Sequence, residues 1–111
     1  MFNRMDNIKI QILNKHTRDF IFSLEDQTIG KVLRSFELLE TFGYSLGMPH
    51  VKHIERGLME LRVRGKQEVR LFFTFRNSVV IVLHGYVKKT MQIPAKELRI
   101  AQTRLKSFDQ I

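Results

Sequence analysis

The sequence predicts an α+β domain of order βααβββα, in which an antiparallel sheet, a three-stranded meander plus an N-terminal strand, is packed by helices. Three observations predict it. Apolar residues alternate with period two near the N-terminus and again in three runs between residues 58 and 88. Between these regions they recur at three- and four-residue steps, and a stretch containing two Gly and a Pro, Gly43 to Pro49, separates the two regimes.

In chain order, Ile8, Ile10 and Ile12 alternate with Lys9 and Gln11, as a half-buried strand requires. From Thr17 the period lengthens: Phe20, Ile21 and Leu24, then Ile29, Val32, Leu33, Phe36 and Leu39 form apolar faces of two helices, with a break expected near Glu25 to Thr28. Gly43 is a natural left-handed stop for the second helix. The runs 58–64, 68–75 and 79–88 then share one parity. Their odd positions, from Met59 to Val87, are apolar apart from Gly85 and are expected to face the core. Gly65 and Asn77 mark the two tight connections, expected as the three-residue loops 65–67 and 76–78. Pro94 opens a last helix with Leu98, Ala101, Leu105 and Phe108 on one side.

At 111 residues the chain makes a single domain, residues 1–111, large enough for one core. It has no Cys, which excludes disulfides, thiolate zinc sites and cysteine nucleophiles. The spacing of His50 and His53 matches no metal motif, so neither a metal nor a cofactor is expected. No apolar window approaches the ~20 residues of a membrane span, and residues 1–15 have no signal-peptide core, so no membrane association and a cytoplasmic location are expected.

The charge is unevenly placed. The chain has 19 Lys and Arg against 11 Asp and Glu, a net charge of +8, yet residues 1–47 are neutral, with six of each sign. The whole excess lies in residues 48–111. A localised excess of this kind concentrates polyanions and is the usual footprint of nucleic-acid binding.

The even positions of the three runs carry Glu60, Arg62, Arg64, Arg70, His84, Tyr86 and Lys88. With three-residue loops, 62 pairs with 70 and 70 with 84, which predicts a row Arg62, Arg70, His84 continued by Tyr86 and Lys88. Two arginines directly opposite one another repel, whereas a bound phosphate would reverse that sign, because each guanidinium offers a planar fork of donors. His84 is the one member of the row whose ordinary pKa lies near neutrality, which suits a general acid or base; a hydrogen-bonded structural role is the other reading. Tyr86 suits stacking on an unpaired base or donation from its hydroxyl. Lys52 and His53 precede the first meander strand within reach of this surface.

Four blocks then stand in order: Pro49-His50-Val51-Lys52, Gly57-Leu58-Met59-Glu60-Leu61-Arg62, Val69-Arg70-Leu71-Phe72-Phe73 and Leu83-His84-Gly85-Tyr86-Val87-Lys88-Lys89-Thr90. Together with Pro94, Glu97 and Ala101 they resemble the RelE/ParE toxin superfamily, most closely its phage-derived HigB-like branch, in which "GLxELR", an Arg-aromatic strand and "LHGFxKKT" recur in this order. The resemblance is strong from Leu46 to Leu105. It implies a RelE-like fold and the toxin of a type II toxin–antitoxin pair, a metal-independent endoribonuclease that cuts mRNA in the A site of the 70S ribosome. The 2′-hydroxyl would attack the adjacent phosphate, leaving a 2′,3′-cyclic phosphate. A cognate antitoxin of helix-turn-helix type would neutralise it, and operator DNA would be met only through the antitoxin complex. By the same resemblance Arg62 and Arg70 hold the scissile phosphate, His84, Tyr86 and Lys88 provide proton transfer and stacking, and Lys52, His53, Arg64 and Lys89 bind RNA. Glu60 orients an arginine or serves as a base. The tail Phe108-Asp109-Gln110-Ile111 departs from the pattern, lacking the Tyr or Arg that some RelE-like toxins place there. The superfamily also includes ParE-like gyrase inhibitors on the same fold, so two alternatives stand beside the ribonuclease: gyrase inhibition, and a non-catalytic nucleic-acid-binding module.

Overall fold

A computed structural model describes residues 8–109. The elements are β1 (Lys9–Ile12), α1 (Lys15–Phe22), α2 (Asp26–Phe42), β2 (Val51–Glu55), β3 (Leu58–Val63), β4 (Val69–Arg76), β5 (Val79–Val87) and α3 (Ala95–Asp109), with one 3₁₀ turn at Gly43–Ser45. The domain is α+β, as the patterning predicts, but it has one strand more than expected. Val51–Glu55 forms an edge strand, paired antiparallel to β3. Its alternation is interrupted by an irregularity between His53 and Glu55, which hides the period from a reading of the sequence. A two-residue connection, Arg56 and Gly57, joins β2 to β3, with Gly57 at φ 77°.

The five strands lie in the order β1-β5-β4-β3-β2. Strands β2 to β5 form an antiparallel meander, whereas β1 runs parallel to β5, so the sheet is mixed rather than wholly antiparallel. A parallel pair needs a long crossover connection, and here everything from α1 to β4 supplies it. The side chain of Asn14 accepts a hydrogen bond from the Thr17 amide at 2.8 Å and starts α1. The interhelix break falls at Ser23 to Glu25, slightly earlier than the periodicity suggests. Gly43 ends α2 at φ 52°, as expected.

Both faces of the sheet are covered. On one, Ile21, Leu24, Val32, Phe36 and Leu39 of the α1–α2 segment pack on Leu61, Val63, Val69, Leu71 and Phe73. On the other, Leu98, Ala101, Leu105 and Phe108 of α3 pack around Leu58, Phe72, Ile81 and Leu83. Arg76, at the end of β4, bonds Asp109 at the end of α3. No helix among the described residues is long and apolar enough to cross a membrane.

The shared parity holds for β3 and β4 but not along β5. Arg76 pairs directly with Val79, so the connection is the two-residue turn Asn77-Ser78, with Asn77 at φ 58°, instead of the expected three-residue loop. That shortening shifts the pairing by one, so Val80 and Val82 join the α1–α2 core while Val79, Ile81 and Leu83 turn toward α3. A bulge then restores parity: Phe73 pairs with Val82 but Phe72 with His84, leaving Leu83 as the extra residue. Beyond it Leu71 faces Gly85. A Cβ there would stand 2.5 Å from Leu71 Cδ2 and 2.8 Å from Phe20 Cε2, so the exception to the apolar row is where side chains from β4 and α1 close over bare backbone.

Candidate functional site

The corrected register decides which even-numbered side chains are neighbours. Arg62 pairs with Arg70 as expected, but Arg70 pairs with Tyr86, not with His84. His84 belongs to the next row, Lys52, Glu60, Phe72, His84, which runs across β2 to β5. The cause is the two-residue turn and the compensating bulge, which together move β5 by two positions relative to the expected register.

Arg62 and Arg70 are not left to repel one another. Arg62 Nε donates to Glu60 Oε1 at 3.1 Å, and Glu60 is only 1 % exposed. Arg70 Nη2 reaches Glu68 Oε1 at 3.5 Å and its Nη1 donates to the Val69 carbonyl at 3.1 Å. Each guanidinium therefore has a carboxylate two positions before it in the chain, Glu60 within β3 and Glu68 just ahead of β4. This arrangement stabilises the opposed arginines without any ligand.

Two buried polar atoms in this cluster remain without a partner: Arg70 Nε and Tyr86 Oη. Arg70 is 2 % exposed and Tyr86 6 % exposed. Leaving such groups unsatisfied typically costs ~1–3 kcal/mol each. Burial pushes the Tyr86 hydroxyl up to about 12, with the Glu60 carboxylate adding to the shift and the Arg70 guanidinium opposing it. Tyr86 is thus a hydrogen-bond donor, not a base, throughout the neutral range. Its ring stacks on Phe72 with centroids 5.9 Å apart, and Phe72 lies parallel to His84 at 6.4 Å.

His84 is held at both ring nitrogens. Nε2 lies 2.6 Å from Glu97 Oε1, and Nδ1 lies 3.3 Å from Arg104 Nη1. A guanidinium can only donate, so in this pairing Nδ1 accepts and the proton resides on Nε2, shared with Glu97. Arg104 Nη1 also donates to the Leu83 carbonyl at 2.9 Å and lies 3.3 Å from Thr17 Oγ1, which itself donates to the same carbonyl at 3.3 Å. The bulge is therefore tied to α1 and α3 through its own carbonyl oxygen. Thr17 and Arg104 are neighbours of His84 that sequence reasoning missed, and Glu97, which it quoted only as part of the resemblance, is the third. Glu97 and Arg104 are seven residues apart on α3, two turns and hence one face, which is the signal that could have paired them.

The remaining expected residues divide. Lys52 is exposed and stands opposite Glu60, on the face of the site. Lys88 is half-buried at the end of β5, where its amide bonds the Glu68 carbonyl at 2.6 Å. Arg64 and Lys89 are exposed just past the ends of β3 and β5. His53 pairs with Met59, whose side chain packs against the α1–α2 core, so the structure places His53 on the face away from the two arginines.

A comparison of the chain with protein families finds the model described as phage derived protein Gp49-like (DUF891), matched over residues 19–106. A comparison with curated proteins gives no match. The matched span runs from α1 into α3 and includes every residue of the cluster described above except Thr17.

Proposed function

The chain belongs to the phage-derived Gp49-like family, and on that premise we propose that it is the toxin of a type II toxin–antitoxin pair, acting in the cytoplasm as a ribosome-dependent endoribonuclease on mRNA. The observation that carries this reading is the pair of buried, unpartnered polar atoms, Arg70 Nε and Tyr86 Oη, on residues paired directly across β4 and β5 in the row that includes Arg62. Neighbouring donors without an acceptor suit a group whose negative charge grows during reaction.

In the proposed reaction the 2′-hydroxyl oxygen bonds to the adjacent phosphorus and the bond from phosphorus to the 5′-oxygen breaks, giving a 2′,3′-cyclic phosphate and a 5′-hydroxyl. Arg62 and Arg70 stabilise the charge on the non-bridging oxygens, and Tyr86 donates a further hydrogen bond to them. The Glu97 carboxylate, which already accepts the Nε2–H of His84, takes the proton of the 2′-hydroxyl, Lys88 supplies one to the leaving oxygen, and Glu60 orients Arg62. Lys52, Arg64 and Lys89 lie along the RNA backbone. Arg70 and Tyr86 are both covered in the free protein, so substrate binding involves a rearrangement that exposes them. A helix-turn-helix antitoxin would neutralise the activity.

The test is induced expression of the wild-type chain and of Arg70→Met, which keeps the buried volume, with mRNA integrity and DNA damage both recorded. Growth arrest with loss of intact mRNA in the wild type alone is the expected result. Arrest with DNA damage and intact mRNA would replace this reading with gyrase inhibition. RNA binding without arrest would replace it with a non-catalytic binding module.

A further inference from the structure

Residues 1–47 carry no net charge, yet the fold brings two of their cations against the basic half of the chain. Lys31 and Arg34 lie one turn apart on α2 and are exposed. With Arg62 and Arg64 of the β3 end, and His50, they rim a cavity of about 220 Å³. Leu38, Pro49 and Val63 give it an apolar floor, and no Asp or Glu lines it. Among the described residues, Lys31, Arg34 and Arg64 form no ion pair with a carboxylate. Arg62 belongs both to this cavity and to the row containing Arg70.

A second observation concerns Gly65. Its φ is not in the left-handed region, so the backbone makes no demand for glycine there. The space a Cβ would fill is taken by Lys31, whose Nζ would stand 2.7 Å from it and lies 3.5 Å from the Arg64 carbonyl. The turn after β3 thus leaves room for an α2 ammonium group to dock beside Arg64, holding cations of α2 and the sheet at one rim.

We propose that this cavity is a second nucleotide site, taking one backbone phosphate of single-stranded RNA on Lys31, Arg34 and Arg64, with its nucleoside on the apolar floor. It rests on the reading of the chain as an RNA-binding protein and extends the track from the Arg62–Arg70 row round the end of β3 to α2. Fork-shaped guanidinium donors and a compact ammonium around an uncharged floor match a phosphodiester and its attached sugar and base.

The experiment measures binding of a 2′-O-methyl single-stranded oligoribonucleotide, which cannot be cleaved, over a range of salt concentrations. In Lys31→Ala/Arg34→Ala the slope of log affinity against log salt is expected to fall by about 0.7, the value for one single-strand phosphate contact. The control pair Lys15→Ala/Arg18→Ala removes the same charge from α1 and is expected to leave the slope unchanged. Gly65→Ala displaces the Lys31 ammonium without altering net charge and is expected to weaken binding. An unchanged slope in the α2 pair, an equal fall in the α1 pair, or unchanged affinity in Gly65→Ala would overturn the proposal. Because no cleavage is involved, binding that depends on Lys31 and Arg34 in a chain that never cuts mRNA would refute the ribonuclease and leave this site standing. Cleavage with unaltered binding in the α2 pair would do the reverse.

Discussion

Tyr86 lies directly opposite Arg70 across β4 and β5, its ring against Phe72 and its hydroxyl buried without a partner. An unpaired buried hydroxyl costs stability in the free protein whatever later uses it. Tyr86→Phe is therefore expected to raise the stability of the free protein by about 1 kcal/mol, read as a higher urea midpoint at unchanged m-value. The same substitution is expected to slow RNA cleavage about tenfold, ~1.4 kcal/mol of transition-state stabilisation. A purely structural tyrosine would show the gain without the loss.

The raised pKa of the same residue gives a pH dependence of definite sign. Tyr86 keeps its proton in the folded state up to about 12, whereas a tyrosine in the unfolded chain loses it near its ordinary value of 10.0. The stabilisation is fully present below 10 and is lost as pH rises through the window from 10 to about 12, because there the unfolded state binds fewer protons. In a Tyr44→Phe background, which leaves Tyr86 as the only tyrosine, the tyrosinate ultraviolet band is expected to appear only toward 12. Unfolding free energy is expected to drop by up to about 3 kcal/mol across the window, relative to the Tyr44→Phe/Tyr86→Phe chain.

Arg104 holds the bulge and sets the tautomer of His84. Arg104→Ala leaves the Leu83 carbonyl with Thr17 alone and is expected to cost about 1 kcal/mol. Nitrogen NMR of the imidazole separates this from a simple loss of packing. In the wild type a single tautomer with the proton on Nε2 is expected, and in the variant a mixture of the two.

Much of this architecture could be read from the chain, and the exceptions have identifiable causes. Ile10, Phe36 and Leu71 sit where their periodicities put them, and Leu98, Ala101, Leu105 and Phe108 line one side of α3. The pairing of Arg62 with Arg70 followed from the shared parity of β3 and β4. The pairing of β5 did not, because the two-residue turn at Asn77 and the bulge at Leu83 are compensating irregularities that leave the alternation of the sequence nearly intact. Strand β2 was obscured by its own irregularity near His53, and the direction of β1 is a property of the crossover, which no local pattern records. The carboxylate partners Glu60 and Glu68 were visible two positions from their arginines, but whether such neighbours pair or point to solvent is settled by burial.

The central claim is that Arg70, with Tyr86 beside it, acts on a phosphate within RNA. Arg70→Ala opens a cavity in a packed sheet and is expected to destabilise the fold by about 2–4 kcal/mol, so the variant to use is Arg70→Met. The most direct measurement maps new 5′ ends on translated and untranslated copies of one mRNA after induction of the wild-type chain and of Arg70→Met at equal levels of folded protein. New 5′-hydroxyl ends in the translated copy, made by the wild type and absent with Arg70→Met, are the predicted result. Equal cleavage by the two proteins, or growth arrest with no new ends, would contradict it.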